Sequence, residues 1–466
     1  MARSTHRTDP VPLDHAAKSS GRRWGVATTL LVLTAILAAS PAAADSVTGT
    51  IPVGGGPLAV AVSPDGSTVY TTNYDDNTVS VVDVATGTLG TISVGAQPGG
   101  VAFSPNGLIA YVTNSTDGTV SVINVASSTV VATLTVGVVP YGLAFAPNGL
   151  KAYVANAGSD TISVIDVVTS TVVGTISGGD NPFGVAFGPN GSKAYVTNRD
   201  DDSVSVIDVA TNLVTATIPV GPSPFGVAIS PDGLTAYVDN YNNNTISVID
   251  VGASAVTGSI TVGLSPFSVA FSPDGSKAYV GNVSSNTISV IDVATSTVNT
   301  TIAVGFTPMG VAFSPDGSAA YVVNRGDNTL SVLSVDVLAV LVSPSAAPSG
   351  TAGVPYSFAS ASGSGIPTAS FLISAGTLPP GLVLAGATGV VSGTPTTSGV
   401  STFTVTATNA AGAVSRSYTV TVAAVLAPTG VSIWRPLGIS ALLLLAGVFM
   451  VGLRRRESLA QGVRQG

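Results

Sequence analysis

"GPSPFGVAISPDGLTAYVDNYNNNTISVIDV" spans Gly221 to Val251 and contains almost a whole copy of a unit that recurs through most of the chain. "FGVAIS" is apolar and rich in residues that suit a pleated, half-buried surface, and "PDG" turns the chain. "TAYVDN" and "TISVIDV" alternate in polarity on either side of the loop "YNNN". After "GAS" the run "AVTGSITV" closes the unit, so each copy carries four short strands separated by Gly, Pro, Asn and Asp.

Read outward, the unit occurs seven times. Its opening glycine falls at Gly54, Gly95, Gly137, Gly179, Gly221, Gly263 and Gly305, with gaps of 41 and then 42 residues. A proline stands three residues later in every copy, from Pro57 to Pro308. A tyrosine follows further on, from Tyr70 to Tyr321, with an asparagine three residues beyond it, from Asn73 to Asn324. Four strands in about 40 residues is the arithmetic of a propeller blade. A parallel β-helix needs a shorter coil, and no helical periodicity appears within a unit.

The ends of the array favour a closed ring. "SVTGTIPVG" (Ser46 to Gly54) precedes the first unit and matches the fourth-strand text "LVTATIPVG" (Leu213 to Gly221). The seventh unit stops after its third strand, "TLSVLSVDV" (Thr329 to Val337). The N-terminal run can therefore supply the missing outer strand and remove the edges that an open stack leaves bare.

The text "AYVTN" (Ala110 to Asn114, Ala194 to Asn198) resembles the YVTN family of β-propeller repeats of bacterial and archaeal surface proteins, across residues 46 to 337. That resemblance implies a fold and a surface location but no single chemistry. A different text fills residues 338 to 424, where six or seven short alternating runs describe a β-sandwich. "GVPYSF" (Gly353 to Phe358), "GTLPPGLVL" (Gly376 to Leu384), "TGVVSGTPT" (Thr388 to Thr396) and "FTVTATNAAG" (Phe403 to Gly412) resemble Ig-fold domains repeated in bacterial surface proteins. Related cadherin-like domains bind calcium through acidic residues. Here Val337 to Thr429 contains no Asp after Asp336 and no Glu, and Asn409 stands where those relatives often carry Asp. The expected fold is all-β: a seven-bladed β-propeller followed by an Ig-like or cadherin-like β-sandwich acting as a spacer.

Both ends read as address labels. Arg22 and Arg23 precede an apolar run from Trp24 to Ala39, and the small residues of "SPAAAD" suit cleavage after Ala44, so residues 1–44 are expected to be an export signal. The residues after the Arg pair fit a twin-arginine motif poorly. At the other end an apolar stretch from Pro436 to Leu453 is followed by Arg454, Arg455 and Arg456, a plausible membrane stop with its positive end inside. Leu426, Ala427, Pro428, Thr429 and Gly430 stand just before it, and the whole segment 426–456 is similar to the cell-wall sorting signal of Gram-positive bacteria in its actinobacterial spelling. The resemblance implies that a sortase cuts between Thr429 and Gly430 and joins Thr429 to peptidoglycan. An uncut single-pass membrane tether is the alternative.

Composition narrows the chemistry. The 466 residues include no Cys, so no disulfide, thiolate metal site or cysteine nucleophile is available. Between residues 45 and 429 there is no His and no Glu, and 21 Asp face six Lys and Arg, a formal charge of −15. General acid–base work usually recruits His or Glu, and zinc or copper needs His or Cys. So acidic a surface repels nucleic acid. The expectation is a non-enzymatic surface protein that binds an extracellular protein or glycan or serves a structural role, with no resident cofactor. A propeller-class hydrolase or lactonase using Asp and a metal ion is the alternative.

The aspartates follow the repeat. Asp65, Asp232, Asp274 and Asp316 sit in "PDG" turns, and Asp83, Asp166, Asp208, Asp250 and Asp292 recur at the end of the third strand, where a structural hydrogen bond is expected. The text varies in the loops between second and third strands: "YDDN" (Tyr74 to Asn77), "STDG", "AGSD", "RDDD" (Arg199 to Asp202), "YNNN", "VSSN" and "RGDN" (Arg325 to Asn328). These loops share a face with the Gly-x-x-Pro linkers, and variation on a constant scaffold is where binding usually resides. Asp75, Asp76, Asp200, Asp201 and Asp202 are candidate calcium ligands, since hard cations take oxygen donors from such clusters. The tripeptide Arg325-Gly326-Asp327 spells an integrin motif, but "RDDD" fills the same slot elsewhere, so the pattern produces it by chance. Tyr141, Phe183, Phe225 and Phe267, each after a blade proline, are expected in the core or at the channel rim.

Overall fold

The computed structural model describes residues 45–337, 339–341, 347–363, 365, 368–409 and 412–425. Seven four-stranded antiparallel sheets surround a common axis. In six of them the strands run consecutively from the axis outward. The seventh is completed by Ser46–Pro52, which pairs antiparallel with Thr329–Ser334 so that Ile51 faces Leu330 and Val47 faces Leu333. A bulge interrupts this pairing between Val47 and Gly49, in the outer half of the strand, as other blades have one between third and outer strands. The ring is therefore closed by its own N-terminal strand.

An ion pair tightens the seam. Lys277 Nζ donates to both carboxylate oxygens of Asp45 at 2.8 and 2.9 Å and to the Asp336 carbonyl at 3.1 Å, while the Asp336 amide donates to Asp45 at 2.7 Å. The Asp45 side chain is only 3% exposed, and the Lys277 ammonium and the Asp336 amide supply its donors inside the seam.

Within each blade one buried amide explains the repeated residues. The Asn that ends the second strand donates through Nδ2 to a hydroxyl five residues on and to a Ser seven residues on. Asn240, for example, reaches Thr245 Oγ1 and Ser247 Oγ, each at 3.0 Å. The same pair of bonds recurs in all seven blades. The opening glycine lies on this amide. A Cβ at Gly221 would meet Asn240 Cγ at 2.5 Å, and the other six opening glycines meet their Asn in the same way.

Adjacent blades are joined by the repeated tyrosines. Tyr70, Tyr111, Tyr153, Tyr237 and Tyr279 are fully buried and each contacts a phenylalanine on the inner strand of the next blade, at centroid distances of 4.6–4.9 Å. These tilted contacts add to the apolar area removed from water. At the axis the inner strands approach too closely for side chains: a Cβ at Gly142 would stand 2.1 Å from the Phe183 carbonyl oxygen. On the opposite face from the variable loops, the "PDG" turns interlock, each glycine resting on the proline of the preceding blade's turn. Ser63 and Ser67 hydrogen-bond the Asp65 carboxylate there and hold its pKa down at about 2.

The C-terminal domain has a sheet ordered Gly350–Thr351, Gly412–Ala423, Gly399–Asn409, Ser370–Gly376, and a second of Tyr356–Ala359, Val390–Gly393, Leu382–Leu384. Phe358, Phe371, Phe403, Tyr418, Val391 and Val405 share its core. The Tyr418 hydroxyl donates to the buried Ser360 carbonyl at 2.8 Å, and Asn409 donates through Nδ2 to the Val337 carbonyl at 2.6 Å. Among the described residues no helix is long and apolar enough to cross a membrane. The expected export signal, sorting motif and apolar stretch 436–453 lie outside the described residues.

Removing the closing strand leaves the third strand of the seventh blade unpaired. Deletion of Ser46 to Val53 is expected to lower the melting temperature by roughly 10 °C or more, far beyond the effect of shortening a surface turn. Calorimetry of the two proteins side by side checks this, and equal melting temperatures would refute closure by this strand.

Candidate functional site

The loops that vary in sequence surround one mouth of the axis, and the structure divides their four positions into two kinds. The third position is a clasp within the blade. Asp76 Oδ2 accepts the Gly55 amide at 2.6 Å, Asp117 the Ala96 amide, Ser159 the Val138 amide, Asp201 the Asp180 amide, Ser285 the Leu264 amide and Asp327 the Phe306 amide. The fifth blade lacks this bond because Pro222 has no N–H to give, and Asn243 accepts from Thr245 instead.

The fourth position is a clasp between blades. Asn77, Asp160, Asp202, Asn244 and Asn286 each accept the amide of the third linker residue in the next blade, at 2.8–3.0 Å. Asn328 closes the circle by accepting from Gly56 at 2.9 Å. All seven fourth-position residues have positive φ, a conformation that Gly adopts freely and Asn and Asp tolerate best. The second blade has Gly118 here, so no side chain reaches Val139. A cavity of about 540 Å³ opens beside it, lined by Gln97, Thr116, Gly118 and Val139 among others.

This accounts for the candidate calcium ligands. Asp76, Asp201 and Asp202 spend an oxygen on backbone amides, Asp200 accepts from Asn181 Nδ2 at 3.0 Å, and Asp75 lies 3.8 Å from Arg325. The structure does not gather the five into one ligand shell, and among the described residues no three or more acidic, His or Cys side chains are grouped to hold a metal ion. Leu426 to Gly430 lie outside the described residues.

The first two positions of each loop accept no linker amide; several touch the third linker residue through side chains instead, as Tyr74 does at Gln97, Asp200 at Asn181, Asn242 at Ser223 and Ser284 at Ser265, and four of the first-position residues line the axis. Tyr74, Ala157, Arg199 and Arg325 join Leu58, Tyr141, Phe183, Phe225, Phe267 and Met309 around a funnel of about 420 Å³. The floor is a belt of rings: Tyr141 stacks on Phe183 at 4.6 Å, and Phe183 meets Phe225 edge-on at 4.8 Å, with Phe267 behind. The post-proline aromatics thus plug the channel, as expected of a rim. Arg199 and Arg325 were legible only as loop residues. No local pattern marks them as neighbours, and only the ring geometry brings them to one cavity. Around the funnel the second linker residues Val138, Leu264 and Phe306 are 53–62% exposed.

One blade carries an acid in its core. Position 239 is Thr72, Thr113 and Thr197 in other blades, where the hydroxyl accepts an inner-strand amide and donates to a carbonyl of the next blade. Asp239 accepts the Phe225 and Gly226 amides at 3.1 and 2.7 Å and is wholly buried. Burial pushes its carboxyl well above the usual range, against the pull of those two donors. In the sixth blade the position is Gly281, and the facing Ser268 supplies the hydroxyl that reaches the next blade at Met309 O.

The comparisons agree with the geometry. Residues 101–199 match the family model for a YNCE-like beta-propeller, and residues 339–423 match that for a Putative Ig domain. A solved structure of Kuenenia stuttgartiensis hydrazine synthase is similar at TM-score 0.57 and 24% identity, covering 60% of this chain and 96% of the other, which is a likeness of fold alone. No match is found among curated proteins.

Two outcomes are expected. Asp202→Ala removes an interblade bond and leaves a β-carbon residue at positive φ, for a loss of about 1–2 kcal/mol in urea denaturation, while Asp202→Asn stays within about 0.5 kcal/mol. Asp239 binds its proton more tightly folded than unfolded. Its contribution is greatest below the unfolded pKa and declines as pH rises toward the folded one. Relative to wild type, Asp239→Thr should therefore gain melting temperature progressively from pH 4 upward. A gap that is constant with pH would show that Asp239 keeps an ordinary pKa.

Proposed function

We propose that this chain is a secreted, wall-attached surface protein whose propeller binds an extracellular partner through its loop face without catalysis, and whose Ig-like domain is the spacer beneath it. The observation that carries this reading is the division of labour in the loops. Third and fourth positions hold linker amides in most blades, whereas the first two positions and the exposed linker residues Val138, Leu264 and Phe306 accept none and change in identity from blade to blade. Apolar side chains left exposed around a concave mouth are characteristic of binding surfaces.

Attachment rests on the sequence, where residues 1–44 read as an export signal and Leu426 to Gly430 with the apolar and basic tail resemble a sorting signal. By that reading the protein resists detergent, is freed by muralytic enzymes, and ends at Thr429. Thr429→Ala moves it from the wall fraction to the membrane fraction. Cell fractionation with C-terminal mass analysis checks this, and full release of the wild type by detergent would replace the wall anchor with a plain membrane tether.

A further inference from the structure

Residues 45–337 contain two arginines, Arg199 and Arg325, and both line the axial funnel. They come from blades four and seven, on either side of the ring, in a chain otherwise dominated by Asp. Each guanidinium lies over a ring: Arg199 is 5.0 Å from the Phe225 centroid and Arg325 is 5.1 Å from that of Tyr74. A cation over a ring is held there by the ring's quadrupole, a contact that uses none of the guanidinium N–H groups.

Those donors are largely unspent. Arg199 Nε is buried without a hydrogen-bond partner, a costly arrangement for a charged group away from water. Arg325 forms an exposed ion pair with Asp75 at 3.8 Å, too long for a hydrogen bond, so its N–H groups remain available. Tyr141 stands between, close enough to Tyr74 and to both arginines to feel their charge, although burial is the larger influence and raises its pKa. Beneath these polar groups the floor is Phe183, Phe225, Phe267, Leu58 and Met309. The cavity volume falls in the range of small-molecule sites.

Two preoriented guanidinium edges and a phenol above an aromatic floor match an oxyanion borne on an apolar body. The rim limits the charge. Asp160, Asp180, Asp200 and Asp201 crowd one side, and Asp160 foremost, with burial and then Asp201 and Asp200, raises the Asp180 carboxyl's pKa. A multiply charged anion meets this repulsion, whereas a single carboxylate can be neutralised by the arginines. We propose that the funnel binds a small monoanionic ligand carrying a carboxylate on an aromatic or similarly apolar body, an inference that rests on the loop face being the binding face.

The test is calorimetric titration of the full-length protein with 2-naphthoate, 2-naphthamide, acetate and inorganic phosphate. 2-Naphthoate is expected to bind at least about ten-fold more tightly than the amide, and acetate and phosphate not measurably. Arg199→Gln and Arg325→Gln should each weaken naphthoate by about ten-fold or more with amide binding little changed, and Arg199→Lys should recover only part, since a point charge lacks the planar fork. Unchanged melting temperatures in these variants show that the fold is retained. Equal affinity for naphthoate and naphthamide, or naphthoate affinity indifferent to both arginines, overturns the proposal, as does no binding at about 10 mM. Replacing Val138, Leu264 and Phe306 by Ser separates the two readings. If cells of that variant still retain their extracellular partner, the loop-face reading fails while the titration stands; if only the titration fails, the loop-face reading stands.

Discussion

The buried asparagine amide at the end of each second strand is the interaction on which the propeller depends. It is inaccessible to water, so its N–H groups must find acceptors inside the blade, and they find two hydroxyls on the third strand in every copy. The amide fixes the entry to the third strand, and its own bulk dictates a glycine in the linker above it. Gly, Asn, Thr or Ser, and Ser therefore recur together. Altering one member leaves either an unsatisfied buried donor or a steric overlap.

Between blades, the same necessity is met by exchange of parts. Where the second-strand threonine bridges to the next blade, the facing inner-strand residue is small, Gly100 and Gly184 or, in the first blade, Ala59; where the second strand has Gly281, Ser268 carries the hydroxyl instead. Space at the axis admits no more than one side chain larger than a methyl group in such a pair. Asp239 is the exception, an acid held where a hydroxyl serves elsewhere, and the cost of burying its charge makes this blade sensitive to pH. The aromatic belt and the N-terminal strand then seal the ring radially and circumferentially.

Among the side chains that this scaffold leaves unused is a group at one mouth of the axis. There the ring-lined floor and the two arginines line one funnel, on the face that also carries the exposed apolar linker residues, and none of these side chains takes part in the blade hydrogen bonds described above. The carboxylates of the same loops are mostly needed. Asp76, Asp201 and Asp202 hold linkers in place, so the acidic text that resembles a cation site is in large part backbone capture.

The sequence by itself determined the blade count, the strand order and the closure, because strand pairing repeats with the chain: Tyr70 to Tyr321 and Asn73 to Asn324 recur at fixed spacing, and Ser46 to Val53 matches an outer strand. It also marked Asp83 and its counterparts as structural, since each caps the turn that follows it, as Asp83 does through the Thr86 amide at 2.8 Å. The roles of loop residues were decided only by the tertiary structure. Asp202 is bonded to the next blade rather than its own, and Arg199 and Arg325, remote in the chain, line one axial funnel. Periodicity reports which residues are equivalent by rotation. Convergence depends on how far each side chain reaches toward the centre of a closed ring, and that distance exists only once the ring has closed.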